Sequence, residues 1–367
     1  MVLMVIFGAG ASYDSYMLYP PGTDLLDVDR LHPYSSHISD RPPLAQDLFA
    51  ARYGKIAAKY PECQGLFFPL QKAASIEQEL ERISNEQPGD PDVTIELLAL
   101  RFYIRDVIWS SNVGWHKFTS NVTNYSALLS TLRSWQLRTR DIVCLTTFNY
   151  DMLLEFAWAG VLHREFRFLP DFIVNPNWKL FKVHGSVVWS RRVQNAATPD
   201  WSNADEFDEE AYRRATYAAA VNSALQLEWT PDYASWTELE AKGASQNEHG
   251  SLWLPAIAMP TQTKTSFECP AEHLDHLAAL IPQVTHLLVI GWRGAEQHFL
   301  SMWQGLNKPA GLQRLQLVTG SDADGQEVEK NLSEAGLTCV DTRVATAGFS
   351  AFLQSGGVED FLNVVVS

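Results

Sequence analysis

Three short segments contain the residue types that could do chemistry. They are the segment Phe7 to Ser12 with the glycine turn Gly8, Ala9, Gly10, Ala11, Ser12, the segment Thr146 to Asp151 with Thr147 and Asn149 inside it, and the segment Val183 to Ser186 with the dipeptide His184-Gly185. A glycine turn after a first strand suits a diphosphate, because the backbone can approach the anion and the next helix directs N–H groups at it. An amide, a carboxylate and an imidazole suit the orientation of a ribose and a water. Together the segments predict a nucleotide site.

Each segment also has a purely structural interpretation. The glycine turn can join a strand to a helix without binding a ligand, and Ser12 can either donate to a phosphate or cap that helix. Asn149 can be a turn residue and Asp151 the N-cap of a helix over 152–159, although a capping residue can still face a site. His184 can be a buried structural histidine. An imidazole before a glycine at a strand end also suits deprotonating a ribose hydroxyl or a water.

A fourth segment, Gly291-Trp292, follows another apolar run. If that run is a strand at a switch point of the sheet, Gly291 lets the adenosine half of a dinucleotide lie against the backbone. Trp292 or Arg293 would then stack on the adenine or pair with a phosphate. A plain helix-entry turn is the alternative.

Alternating apolar runs and amphipathic stretches predict an α/β fold with a Rossmann-like, mainly parallel sheet. Most of the runs are apolar on both faces, which is typical of strands covered by helices on either side. Helical spacing of apolar residues is found at 76–83, 97–108, 128–132, 152–158, 271–280 and 295–306. The predicted strands are 2–7, 142–147, 180–183, 252–257, 286–290, 315–318 and 338–342.

We interpret the chain as one domain over residues 1–367 with two additions to its core. The Rossmann-like core comprises about 1–15, 124–190 and 252–367. A helical subdomain with a long loop over 16–43 spans about 16–123. The third part, about 190–250, is a polar insert dotted with Trp and Tyr and has one helical piece at 212–225.

Composition excludes some classes of protein. The net charge of -15 argues against direct nucleic-acid binding, which relies on Lys and Arg neutralising phosphates. The four cysteines are scattered and form no paired metal knuckle, which suggests a reducing, cytoplasmic compartment, and Cys144 reads as a core residue. The apolar start lacks a basic leader and reads as a buried strand, and we expect no membrane span.

In their order along the chain, these segments resemble the sirtuin family. In that family the glycine turn binds the NAD diphosphate, the Asn-x-Asp element contacts the nicotinamide ribose and carboxamide, and the His-Gly histidine is the catalytic base. The resemblance therefore implies NAD binding at Gly8–Ser12 and Thr147, with Asn149 and His184 catalytic and Asp151, Gly185, Gly291 and Trp292 in cofactor contact. Residues 41–44 look like the start of the family's cofactor loop.

The departures from the family pattern favour one branch. Deacylating sirtuins hold a zinc module with four cysteines, and this chain has no cysteine between Cys144 and Cys269, so we expect no zinc. The spelling Thr-Thr-Phe-Asn-Tyr-Asp looks like that of zinc-free bacterial NADases of antiphage defence. That resemblance implies an NAD hydrolase acting in abortive infection. The chain has no spare sensor domain, so we expect a homo-oligomer activated by a separate partner, such as a HerA-like ring ATPase or a short Argonaute.

Two other functions stay open. An NAD-dependent protein deacylase would turn over NAD only in the presence of an acyl-lysine. A noncatalytic subunit of a defence complex would bind NAD or ADP-ribose without cleaving it, and it would need neither Asn149 nor His184.

Overall fold

A computed structural model describes residues 1–23, 40–199, 209–241, 250–259, 267–304, 312–337, 339 and 341–363. The main sheet has six parallel strands in the order β3-β2-β1-β7-β8-β9. These are β1 (Val2–Phe7), β2 (Ile142–Thr147), β3 (Trp178–Lys182), β7 (Val284–Ile290), β8 (Arg314–Val318) and β9 (Asp341–Ala345). The order is that of a Rossmann fold, with its switch point between β1 and β7. The predicted α/β fold class is confirmed.

The register aligns the ends of the central strands. Phe7 lies opposite Thr147 of β2 and Ile290 of β7. The residues that follow these three strands therefore emerge at one level, at the carboxyl edge of the sheet. Because parallel strands all end at the same edge, the segments predicted to carry chemistry share this edge.

Most strands of this sheet form at the predicted positions. The predictions 2–7 and 142–147 match β1 and β2, and 286–290 and 315–318 fall within β7 and β8. The prediction 338–342 is shifted from β9 at Asp341–Ala345, and residues 338 and 340 lie outside the described residues. This strand is an edge strand with exposed side chains, so its apolar pattern is weak.

A second sheet is antiparallel and has the order β5-β4-β6. It contains β4 (Gly185–Gln194), β5 (Glu228–Ser235) and β6 (Ser251–Ile257). The predicted strand 252–257 forms here and not in the main sheet, because it pairs antiparallel with β4. Strands β4 and β5 were not predicted. Parts of the predicted insert, 200–208 and 242–249, lie outside the described residues.

Fourteen α-helices lie in the described part of the chain. Those that position the site are α1 (Ala9–Tyr13), α5 (Pro91–Thr119), α6 (Asn124–Thr139) and α7 (Leu153–Leu162). The others are α2 (Gly54–Ala57), α3 (Phe67–Lys72), α4 (Ile76–Glu86), α8 (Glu209–Asn222), α9 (Trp236–Ala241), α10 (Ala271–Leu280), α11 (Gln297–Leu300), α12 (Asp322–Glu334), α13 (Gly348–Gln354) and α14 (Gly357–Asn363).

The helix predictions agree with the structure except at one position. The prediction 295–306 yields only α11, and residues 305 and 306 lie outside the described residues. Most of the predicted loop 16–43, residues 24–39, also lies outside them. No described helix has the length and apolar character that a membrane crossing requires.

Two large apolar clusters build most of the interior of the described part of the chain. One surrounds the main sheet and includes every residue of β1. The other joins α5 to the second sheet and to the short helices before it. Helix α5 is 29 residues long, which at 1.5 Å per residue is about 44 Å, so it can contact both sheets.

Candidate functional site

The carboxyl edge of the main sheet gathers all four predicted segments. The glycine turn follows β1, Asn149 follows β2, His184 follows β3 and Gly291 follows β7. Open α/β sheets bind their ligands in the crevice outside this edge, at the switch point of the strand order. The predicted residues therefore lie where a nucleotide site is expected in this fold.

The two glycine segments cross each other in close contact. Gly8 N–H donates to Ile290 O at 3.0 Å, and Gly10 N–H donates to Gly291 O at 3.1 Å. Gly291 has a φ of +60°, and a Cβ added there would lie 2.3 Å from Ala11 N. Contact between two backbones therefore requires these glycines, whether or not a diphosphate binds.

The same hydrogen bonds limit what the turn offers an anion. The N–H groups of Gly8, Gly10 and Ala11 all donate to backbone carbonyls. Ala9 is exposed at the start of α1, and its N–H is the remaining backbone donor of the turn, for which no hydrogen bond to the described residues is seen. A diphosphate at this edge would rely on that amide and on the dipole of a single helical turn.

Ser12 is the centre of a buried hydrogen-bond cluster. Its hydroxyl donates to Asp151 Oδ2 at 2.6 Å and lies 2.8 Å from the Tyr125 hydroxyl. Asn149 Nδ2 donates to the same Ser12 oxygen at 3.0 Å. The capping role of Ser12 is wrong, because the N-cap of α1 is Gly8. Its hydroxyl has partners within the protein, and donation to a phosphate stays a prediction. Ser12 joins the ends of β1 and β2.

The carboxamide oxygen is the atom of the Asn149 side chain that could still bind a ligand. Asn149 Nδ2 donates to Gly8 O at 2.8 Å as well as to Ser12, so both N–H groups have acceptors. The backbone N–H of Asn149 donates to Thr147 Oγ1 at 3.0 Å, which fixes the loop. No described residue donates to Asn149 Oδ1. This side chain can therefore accept a hydrogen bond from a water or a ribose hydroxyl.

Asp151 has both carboxylate oxygens engaged. Oδ1 accepts from the Leu153 N–H at 3.0 Å at the start of α7, and Oδ2 accepts from Ser12. The N-cap of α7 is Met152, so the predicted N-cap assignment of Asp151 is wrong by one position, although its carboxylate accepts from the first N–H of the helix. Burial and this nearby carboxylate raise the pKa of Tyr125, so its phenol stays a neutral hydrogen-bonding group.

A buried lysine beneath the site was missed by sequence reasoning. Lys182 Nζ donates to the backbone carbonyl of Asp151 and to Glu155 Oε1, the latter at 2.6 Å. Burial raises the pKa of Glu155, and the Lys182 charge opposes that rise. The sequence feature that could have identified Lys182 is a lysine inside an apolar strand, two positions before His184.

His184 lies in an aromatic environment. Its ring centroid is 4.9 Å from that of Phe148, 5.7 Å from His298 and 6.4 Å from Tyr150. The residue is 3% exposed. Within the described contacts, no hydrogen bond joins His184 to the Ser12 cluster. The structure places Asn149 and His184 at the same edge but in two separate groups of side chains.

Gly185 and Trp292 have structural roles that account for their identities. Gly185 has a φ of +87°, and a Cβ added there would lie 1.8 Å from Ala256 O in β6. Trp292 stacks on Phe148 at 4.9 Å with an interplanar angle of 3°, and its Nε1 donates to Glu296. Trp292 is 3% exposed, so it offers no open face for an adenine in this arrangement.

Two arginines stabilise the surroundings of the site. Arg41 donates to the carbonyls of Tyr13 and Tyr19, which holds the segment after α1 in place. Arg101 on α5 donates to Ile257 O at 2.7 Å. The next residue, Ala258, donates its N–H to His184 O at 2.8 Å.

Metal ligands are not clustered in the described residues: no group of three or more His, Cys, Asp or Glu side chains could hold an ion there. No protein-family model matches this chain, and no curated protein matches it significantly. The resemblance to sirtuin-like NADases rests on the four segments themselves.

Proposed function

We propose that this protein hydrolyses NAD to nicotinamide and ADP-ribose. The bond between the ribose C1′ and the nicotinamide nitrogen breaks, and a water adds its oxygen to C1′ and releases a proton. Nicotinamide leaves a cationic ring as a neutral molecule, so the reaction needs no strong general acid. It needs an oriented water and stabilisation of an oxocarbenium-like ribose.

One observation carries the proposal. At the switch point of a Rossmann-ordered sheet, Asn149 is held by two hydrogen bonds of its amide nitrogen, which leaves its oxygen as an acceptor. That oxygen suits the orientation of a water or a ribose hydroxyl. We assign the base role to His184, whose imidazole lies at the same edge beyond Phe148. Asp151 acts as a positioning residue, because both its oxygens are occupied.

The burial of His184 favours regulated activity. A ring that is 3% exposed must become accessible before it can act on a ribose. We therefore propose low activity for the isolated chain and activation on assembly with a separate partner, such as a HerA-like ATPase or a short Argonaute. In this proposal the chain is the toxic, cytoplasmic effector of an antiphage abortive-infection system and functions as a homo-oligomer.

A noncatalytic NAD- or ADP-ribose-binding subunit is the second candidate. It is favoured by the separation of His184 from the Ser12 cluster, because a binder needs no cooperation between these groups. It would use the edge of the sheet without cleaving the ligand. The protein deacylase alternative has no observation of its own in its favour.

The test is NAD consumption by the purified chain, alone and with the protein encoded beside its gene. We expect Asn149→Ala and His184→Ala each to lower the rate about 100-fold or more. The control His276→Ala changes an exposed histidine on α10 and leaves the rate unchanged. NAD binding without turnover in every mixture would establish the binding subunit, and turnover only with an acyl-lysine peptide would establish the deacylase.

A further inference from the structure

Helix α5 contains a buried amide with no hydrogen-bond partner. Asn112 is 1% exposed, and neither its Nδ2 nor its Oδ1 has a partner among the described residues. It is the one described residue with two such atoms; the others have one each. Burying a hydrogen-bond donor and an acceptor without partners costs folding free energy. A ligand or a function is therefore needed to explain why this amide is present.

The position of Asn112 follows from its neighbours on the same helix face. Arg105 lies seven positions before Asn112, and its Nε–H donates to Val187 O at 3.0 Å. The Val187 N–H in turn donates to Tyr150 O. Four positions later, the His116 ring lies 4.2 Å from that of Phe156 in α7. Residues spaced by about 3.6 share a helix face, so Asn112 faces the part of the protein between Tyr150 and the start of α7.

A third contact shows which segment lies on the other side of Asn112. Trp115 Nε1 donates to Ser15 Oγ at 2.8 Å, directly after α1. Asn112 therefore lies between the segment after α1 and the segment that carries Asn149 and Asp151.

We infer that Asn112 recognises a primary carboxamide. A carboxamide presents one acceptor oxygen and two N–H donors, and an asparagine side chain can pair with it through two reciprocal hydrogen bonds. This inference rests on the proposed function, in which the carboxamide belongs to nicotinamide. It moves carboxamide recognition away from Asp151, whose two oxygens are occupied by Ser12 and the Leu153 N–H.

The experiment is calorimetric titration of the full-length chain with nicotinamide, nicotinic acid and ADP-ribose. The wild type should prefer nicotinamide to nicotinic acid by about tenfold or more, because a carboxylate cannot donate to Asn112 Oδ1. Asn112→Leu should lower the affinity for nicotinamide by a similar factor and leave that for ADP-ribose unchanged. Asn112→Asp should also weaken nicotinamide binding.

Gln136→Leu is the matched control. Gln136 Nε2 is a buried amide nitrogen without a partner in the described residues, and it lies on α6 four residues before Arg140, at the opposite edge of the sheet. This variant should bind all three ligands as the wild type does. Melting temperatures show that each variant folds, and replacing an unpartnered amide by an apolar group should not lower them.

Two results separate this inference from the proposed function. If the wild type hydrolyses NAD and Asn112→Leu binds nicotinamide normally, Asn112 holds an internal water and the inference is overturned while the function stands. If the wild type leaves NAD intact but Asn112→Leu loses selective nicotinamide binding, the carboxamide subsite stands and the hydrolase proposal fails. Absence of nicotinamide binding by the wild type overturns the inference whatever the rate of hydrolysis.

Discussion

The carboxyl edge of the sheet holds two groups of side chains that differ in kind. The Ser12 group, with Asn149, Asp151 and Tyr125, is polar and connected by hydrogen bonds of 2.6 to 3.4 Å. The His184 group, with Phe148 and Trp292, is aromatic, and its rings contact one another mainly by packing, although Trp292 Nε1 also donates to Glu296. Directional bonds fix atoms in place, whereas ring contacts allow rearrangement at lower cost.

This difference assigns different tasks to the two groups. The Ser12 group holds the Asn149 side chain in place, and in the proposed function this orients its oxygen for a substrate, as preorganised polar groups in active sites do. In the proposed reaction the His184 group is the part that would have to rearrange for the imidazole to reach a ribose. Lys182 connects the two groups along the chain and by a hydrogen bond, because it precedes His184 by two residues and its Nζ donates to the carbonyl of Asp151.

Removing the Lys182 charge should have the largest effect on stability. Lys182→Met leaves the Glu155 carboxylate buried without its cation, and we expect a loss of about 3 kcal/mol in the free energy of unfolding near neutral pH. Denaturant unfolding measures this loss. The double variant Lys182→Met with Glu155→Leu removes both charges and should recover most of it.

The loss in Lys182→Met should depend on pH. Burial raises the pKa of Glu155, and without Lys182 nothing of comparable strength opposes that rise. A carboxyl group with a raised folded-state pKa is least destabilising when protonated, so stability falls as the pH rises through that pKa. The deficit should be smaller at about pH 5 than at about pH 8. A deficit independent of pH would contradict the burial of an unpaired carboxylate.

Removing the centre of the polar group should have an intermediate effect. Ser12→Ala leaves Asp151 Oδ2 without its donor and Asn149 Nδ2 without one acceptor, at a cost of about 2 kcal/mol in unfolding free energy. Ser130→Ala removes an exposed hydroxyl on α6 and should cost less than about 0.5 kcal/mol. Equal losses in both variants would show that the Ser12 cluster is not coupled to stability.

The aromatic group should tolerate change best. Phe148→Leu removes the stacking on Trp292 but keeps an apolar side chain, so we expect a loss of about 1 kcal/mol. Near-ultraviolet circular dichroism should report the altered environment of Trp292. Phe168→Leu, at a residue 45% exposed, is the control. A loss larger than that of Ser12→Ala would reverse the proposed difference between the groups.

The sequence allowed the main sheet to be predicted but not the second. Strands such as Val2–Phe7 are buried on both faces, and a continuous apolar run identifies them without knowledge of their partners. In β5 (Glu228–Ser235) most side chains are exposed or half-buried and a proline interrupts the run. Such a strand is defined by its pairing with β4, which local sequence does not reveal.

The site was predictable in position and less so in detail. Strand ends and residue types placed Asn149 and His184 at one edge, because parallel strands end together. The hydrogen bonds of Ser12, the ion pair of Lys182 and the isolation of Asn112 join residues far apart in the chain, and their geometry depends on packing. Sequence patterns report which groups are present, and the fold decides which are already occupied.

The strand order has a consequence for how the protein is made. Strand β1 pairs with β2 and with β7, and Val2 and Val284 are about 280 positions apart. At translation rates of about 5 to 20 residues per second, the second neighbour of β1 leaves the ribosome roughly 15 to 60 s after β1 itself. During that interval one edge of a wholly apolar strand has no partner, so we expect the nascent chain to be prone to aggregation and to depend on chaperones until β7 has been synthesised.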